Sequence, residues 1–198
     1  MQAFLSDDGY VDYHSEVIQR KASELFRQDM TDLEKVKAAY EFVRDEIPHS
    51  FDCNASVITA KASDVLCYKT GICHAKANLL AALLRSQGIP TGFCFQCVTL
   101  AEDASLGYCV HAYNAVFLDQ KWIKLDARGN KPGICAAFSV DEPVLAFKNR
   151  PEYDEFFWKG IYASPHIPTM KMLEQATCLQ DIMDHIPCTI EETPDIAE

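Results

Sequence analysis

Apolar positions in the first quarter of the chain recur at helical spacing, then give way to alternation and short apolar runs. Residues 15 to 28 and 31 to 46 read as two helices. In the second, Leu33, Val36, Ala39, Tyr40 and Val43 share one face, and Thr31 with Glu34 has the spacing of a capping box. The helix ends before Pro48, and a looser stretch follows with His49, Phe51, Asp52 and Cys53. Ser63 is placed to cap a short helix through Asp64, Val65 and Leu66. From Gly71 to Gln87 the chain reads GICHAKANLLAALLRSQ, apolar around most of a helical circumference and stopped by Gly88 and Pro90. That pattern predicts a central, buried helix.

Beyond it the period changes to that of strands. Three are predicted near 91–99, 108–118 and 121–127, separated by AEDASLG and by a tight turn at Leu118 to Gln120, with a fourth near 136–140. Residues 151 to 163 carry Tyr153, Phe156, Phe157, Trp158 and Tyr162 and are expected to pack over the sheet edge. A last helix from about Thr169 to Ile186 would turn Leu173, Thr177, Ile182 and Ile186 to the core. Helices first and an antiparallel sheet afterwards define an α+β architecture.

Composition narrows the classes of function. The chain has 198 residues, 48% hydrophobic and 24% charged, which suits a folded globular protein. Its formal charge of -11, with no cluster of Lys or Arg, argues against a nucleic-acid partner. Nine cysteines at irregular spacings do not form a disulfide framework. The start, MQAFLSDDGYVDYH, lacks a basic region followed by an apolar run, and no apolar stretch is long enough to span a bilayer. The expectation is a cytoplasmic protein with no membrane partner. Cys94 and Cys97 have the spacing of half a zinc site, which Cys109 with His111 could complete, but TGFCFQCVT reads as a continuous strand that sends the paired cysteines to opposite faces. No metal and no cofactor are expected.

The candidate chemistry starts at Cys73. It lies on the first turn of the central helix, where unpaired N–H groups and the helix dipole favour an anion. The thiolate is the nucleophilic form, and such a position lowers a thiol pKa. The backbone N–H of Cys73 can also donate to an oxyanion. Gly71 beside it would let a substrate backbone approach. His111, in YCVHAYNAVFL, and Asp126, in KWIKLDA, fall on consecutive strands. If Asp119 and Gln120 form the turn, the two are diagonal neighbours on one face; if Leu118 and Asp119 form it, they are directly opposite. A three-residue turn would separate them onto different faces unless a bulge intervened. In either two-residue register, Asp126 accepts from one imidazole nitrogen and the other serves Cys73, giving a nucleophile, a base and an orienter. His74 points about a quarter-turn away from Cys73 and reads as a supporting or surface group. Arg128 is placed to hold a substrate carboxylate or to pair with a nearby acid.

These segments resemble a known family. ASDVLCYKTGICHAKANLLAALLRSQGIPTGFC is similar to the nucleophile segment of the transglutaminase-like (transglutaminase core) superfamily, with a Gly-x-Cys opening the helix and L-R-x-x-G-I-P closing it. HAYNAVFLDQKWIKLDA resembles its His and Asp strands, with an aromatic two residues after the His and a W-x-x-x-D ending. With the YEFVRDEI helix, the similarity covers roughly residues 36 to 130. It implies a papain-like α+β fold and a Cys73–His111–Asp126 triad. It also implies a thiol hydrolase or acyltransferase working on peptide, protein or small amides. One domain over 1–198 is then expected, its core about 31–140, with the aromatic segment and helix of 151–187 packed on it. Two departures stand out: Tyr113 where the family often has Trp, and ARGNKPG after Asp126 in place of Pro-Thr. The second oxyanion donor usually lies upstream of the nucleophile, and His49 and Asn54 are the candidates. The rival readings are an arylamine acetyltransferase-like enzyme, which the missing Arg-Gly-Gly before the Cys disfavours, and a binding domain that keeps the fold without turnover.

Overall fold

A computed structural model describes residues 1–197. In chain order the elements are α1 (Glu16–Leu25), α2 (Asp32–Glu46), α3 (Ala62–Tyr68), α4 (Cys73–Arg85), β1 (Thr91–Thr99), β2 (Tyr108–Leu118), β3 (Lys121–Leu125), β4 (Phe156–Phe157), α5 (Ile167–Gln175) and α6 (Leu179–His185). The fold is α+β and papain-like: α1 to α3 cover one side of α4, and the sheet covers the other. No described helix is long and apolar enough to cross a membrane.

All thirteen residues of α4 are buried, which is why its sequence has no polar face. Its few polar side chains are each spent on a neighbour's backbone, as burial requires. His74 Nε2 donates to the Val110 carbonyl at 2.8 Å. Lys76 Nζ donates to Ile47 at the end of α2, and Asn78 to Ala60 at 2.8 Å. Arg85 reaches the carbonyls of Ser6, Thr91 and Ala163. These bonds fix α4 against every layer around it. Leu83 sits fully buried at the centre. Leu83→Ala is expected to lower stability by about 2–5 kcal/mol, because the core cannot collapse into the space. A fall in the urea midpoint with an unchanged slope would show it.

The Thr31 capping box forms, with Thr31 N–H donating to Glu34 Oε2 at 2.8 Å and Glu34 N–H to Thr31 Oγ1 at 3.3 Å. Val36, Ala39, Tyr40 and Val43 are buried, but Leu33 is 41% exposed, since the first turn of α2 projects past its neighbours. The cap of α3 also differs from expectation. Lys61 occupies the capping position, and the free N–H of Ser63 is taken by the distant Asp12 carboxylate at 3.0 Å.

The sheet is antiparallel in the order β3-β2-β1-β4. Leu118 pairs with Lys121, so Asp119 and Gln120 form the turn, at φ 49° and 67°. Two left-handed residues suit the strand twist of a two-residue hairpin, and this selects the diagonal placement of His111 and Asp126. The third strand ends at Leu125, two residues early. No strand forms at 136–140, where Ala137 makes only an isolated bridge to Val144; Asn130 instead holds Ala136 through both its amide atoms. The fourth strand is β4, from the aromatic segment at the sheet edge, as that segment's expected position allows. The single helix of 169–186 is two helices. Asp181 accepts from Thr177 N–H and Cys178 N–H, at 2.7 and 3.2 Å, and caps a new start that leaves Thr177 exposed.

Candidate active site

The site forms where the N-terminus of α4 meets β2. The segment before α4 is held by a parallel bridge between His49 and Gly71, with Ser50 N–H donating to Gly71 O at 3.1 Å. The role of Gly71 is packing. A Cβ there would lie 3.2 Å from Ala75 Cβ and Val65 Cγ2 and 3.3 Å from Thr59 Oγ1, all atoms of this chain. The expected approach of a substrate backbone at that position is therefore corrected, because the space is already filled from within.

Cys73, His111 and Asp126 are all buried, and they meet. The register of β2 with β3 puts Asp126 just beyond the Asn114–Leu125 pair, so its carboxylate reaches diagonally back to His111. His111 Nε2 donates to Asp126 Oδ2 at 2.8 Å. Ala146 N–H also donates to Oδ2, at 2.9 Å, and Arg128 N–H to Oδ1, at 3.0 Å. With Nε2 so engaged, the hydrogen bond between His111 and the Cys73 thiol falls to Nδ1. Phe147 packs edge-on against the imidazole, ring centroids 4.8 Å apart.

The electrostatics follow from this packing. Burial opposes a charged His111, but the Asp126 carboxylate and the Cys73 sulfur outweigh it and push its pKa up to about 10. Burial raises the Cys73 thiol. The His111 charge, its hydrogen bond and the Ala112 N–H outweigh that, and the net pKa is below the ordinary thiol value. Asp126 is likewise raised by burial and drawn below the carboxylate range by His111. The three shifts describe a thiolate–imidazolium pair braced by a carboxylate.

A cavity of about 1420 Å³ opens on Cys73 and His111 and is walled by the 131–150 loops, the end of β1 and α6. His49 lines it; the ring is 8% exposed, is stacked 6.0 Å from Phe51, and its Nδ1 has no partner among the described residues. Burial and the nearby Arg128 hold its pKa well below the ordinary histidine value. Asn54 is a correction. It is exposed, at φ 50° in a turn, and lies outside the cavity wall, so it reaches no reacting group. Arg128 lines the cavity, but its guanidinium is committed to Asp52, with NH1 and NH2 contacts of 2.5 and 3.1 Å, and Lys131 adds a third at 2.6 Å. Partial burial raises Asp52, yet these cations hold it at about 2. His74, read as a supporting or surface group, is buried, and burial holds it neutral with a pKa of about 3. Its bond to Val110 anchors β2 one residue from His111. Sequence alone carried no signal for Ala146 and Phe147, which come from a loop twenty residues beyond Asp126.

Among the described residues no group of three or more His, Cys, Asp or Glu is placed to hold a metal ion. The nine cysteines are free thiols.

A family model described as the transglutaminase-like superfamily matches residues 19–127, more than half of the chain. The protein belongs to that superfamily. No curated protein matches it in sequence. Among solved structures, a candidate cysteine protease from Cytophaga hutchinsonii is similar with a TM-score of 0.50 and 21% identity over 63% of this chain and 40% of that one. A TGase crystal structure is similar with a TM-score of 0.40 and 17% identity over 65% of this chain and 34% of that one. The chain thus spans well under half the length of either.

Proposed function

We propose that this protein is a thiol hydrolase or acyltransferase that opens amide bonds of peptide or protein substrates through Cys73, His111 and Asp126. The observation that carries the reading is the chain of bonds from the thiol through His111 to a carboxylate fixed by three N–H donors.

The Cys73 thiolate attacks the amide carbonyl carbon and forms a C–S bond, while the carbonyl pair moves onto oxygen. The Cys73 N–H on the first turn of α4 donates to that oxyanion, and the neutral His49 ring is the candidate second donor. As the C–N bond breaks, His111 gives the Nδ1 proton to the leaving nitrogen. Asp126 keeps the Nε2–H tautomer throughout and stabilises the imidazolium. Water or an amine then attacks the thioester, loses its proton to His111 and frees the Cys73 sulfur. Arg128 acts mainly through Asp52; a substrate carboxylate would have to compete with that ion pair.

Incubating the protein with glutamine-containing peptides and N-acyl peptide anilides, with and without methylamine, tests the reading. Intact-mass spectrometry should trap a thioester on the wild type, and Cys73→Ala should lower turnover by at least about 10³-fold. Methylamine-labelled product would assign acyl transfer, and acid product hydrolysis. Turnover that survives in Cys73→Ala would sink the proposal.

A further inference from the structure

The edge strand of the sheet next to the cavity is β4, and its Phe157 lines the cavity wall. Two phenylalanines form β4, and both are exposed, Phe156 by 46% and Phe157 by 40%. An exposed aromatic strand at a sheet edge is an aggregation hazard that proteins normally cover or charge. Here the chain covers part of it. Ile196 exchanges both backbone bonds with Ile161, at 2.8 and 3.1 Å, and Asp195 accepts from Ala163 N–H at 2.7 Å. That cover lies over 161–163 and not over Phe157.

Strand parity shows what is left open. Phe93 exchanges both bonds with Tyr162, and Phe95 accepts from Trp158 N–H at 3.1 Å, so the odd-numbered residues of β1 direct their backbone groups to this edge. Phe156 pairs with Cys97 in the same sense, whereas Phe157, opposite Gln96, turns its N–H and C=O away from β1. Among the described residues neither group has a hydrogen-bond partner, so both can bond an added strand.

The position relative to the nucleophile is equally specific. Gln96 pairs with His111 on one side and Phe157 on the other, so the three stand in one row across the sheet with side chains on the same face. Phe157 lines the catalytic cavity. Two strand spacings put it roughly 10 Å from His111, and an added strand would lie about 5 Å further out. Between them Gln96 is fully buried, with neither amide atom bonded among the described residues.

We propose that an extended, apolar segment of a peptide substrate adds to the sheet at Phe157, its backbone bonding the free N–H and C=O there, while its scissile amide lies over Cys73. The occupant is a polypeptide because only a repeating backbone supplies both the donor and the acceptor that an edge strand needs. It is apolar because Phe156, Phe157 and Trp158 form the surface it meets; the Phe156 and Trp158 rings are 4.7 Å apart. At about 3.3 Å per residue, three to five residues bridge from Cys73 to the edge. The inference rests on Cys73 being the thiol nucleophile and adds the class of substrate: extended chains, not small amides.

Peptidyl chloromethyl ketones of one to six apolar residues test it, with the thiolate displacing chloride and the rate of Cys73 labelling followed by mass spectrometry. The rate constant should rise about tenfold or more as the probe reaches four to six residues, and backbone N-methylation at the residue over Phe157 should cancel the gain. Phe157→Pro, which deletes the outward N–H without touching a ladder bond, should flatten the same length dependence. N-methylation keeps the test valid if that variant fails to fold. Fast labelling that is independent of length would overturn the edge site and leave the nucleophile standing. No labelling of Cys73 by any probe would remove both. Length-independent labelling together with a dimer that Phe156→Asp disrupts would assign the edge to a second copy instead.

Discussion

His111→Ala is expected to turn Cys73 into a slow, ordinary thiol. In the wild type, the thiol is held below its usual pKa and His111 is pushed up to about 10. The ion pair therefore dominates from the depressed thiol value up to about pH 10. Without His111 the remaining influence of burial raises the thiol, and the thiolate fraction near pH 6 falls. The measurement is the second-order rate of iodoacetamide alkylation from pH 5 to 10, with peptide mass spectrometry to separate Cys73 from the other eight cysteines. A wild-type plateau extending well below pH 8, lost in the variant, is the expected pair of profiles. Equal profiles would mean that His111 does not activate the sulfur, and a binding domain without turnover would then be the better account.

Asp126→Asn should cost about 10³- to 10⁴-fold in turnover, because an amide cannot hold the imidazole in the productive tautomer or stabilise its charge. A structural cost accompanies it. Three N–H groups converge on the carboxylate, two on Oδ2 and one on Oδ1. Whichever way Asn is turned, its NH₂ faces a donor, and the loss of stability near neutral pH is about 1–3 kcal/mol. The pH dependence has a definite sign. Asp126 has a depressed folded pKa, so its contribution is complete above the ordinary carboxylate value and is lost as pH falls through the folded one. His111 has a raised folded pKa, so its contribution is complete below about 6.5 and is lost as pH rises through about 10. Urea melts across pH should show the wild type and variant converging at the acid end. The upper limb of the alkylation profile should move down in the variant, since the imidazolium has lost its counter-charge. A variant with wild-type stability and profile would remove Asp126 from the triad.

Much of this was legible from residue order. The capping box at Thr31, the buried helix at 73–85 and the hairpin around Asp119–Gln120 are local features, governed by spacing, turn chemistry and the absence of a polar face on α4. The three residues proposed as the triad could be picked out because a helix N-terminus and two strands of one hairpin have fixed periodicity. The failures are as instructive. The 169–186 stretch has continuous helical spacing, yet the first helix stops at Gln175 and Asp181 caps the start of a second, a local choice that a pattern of apolar residues does not register. Residues 136–140 have strand composition but pair only through the single Ala137–Val144 bridge, while the edge position beside β1 is taken by Phe156–Phe157. Asn54 and His49 both stood upstream of the nucleophile, and only the bridge to Gly71 separates the one that reaches the cavity from the one that does not.

The sequence by itself determined most element types and the chemistry available: a thiol on a helix start, an imidazole and a carboxylate on neighbouring strands, and a net charge of -11. These follow from interactions within a few residues of each other along the chain. Tertiary structure decided what those groups experience. The bracing of Asp126 by Ala146, the ring of Phe147 on His111, the capture of Arg128 by Asp52 and the open edge at Phe157 all join positions far apart in sequence. Burial and the charges brought close by packing set the pKa values, and both exist only once the chain has folded.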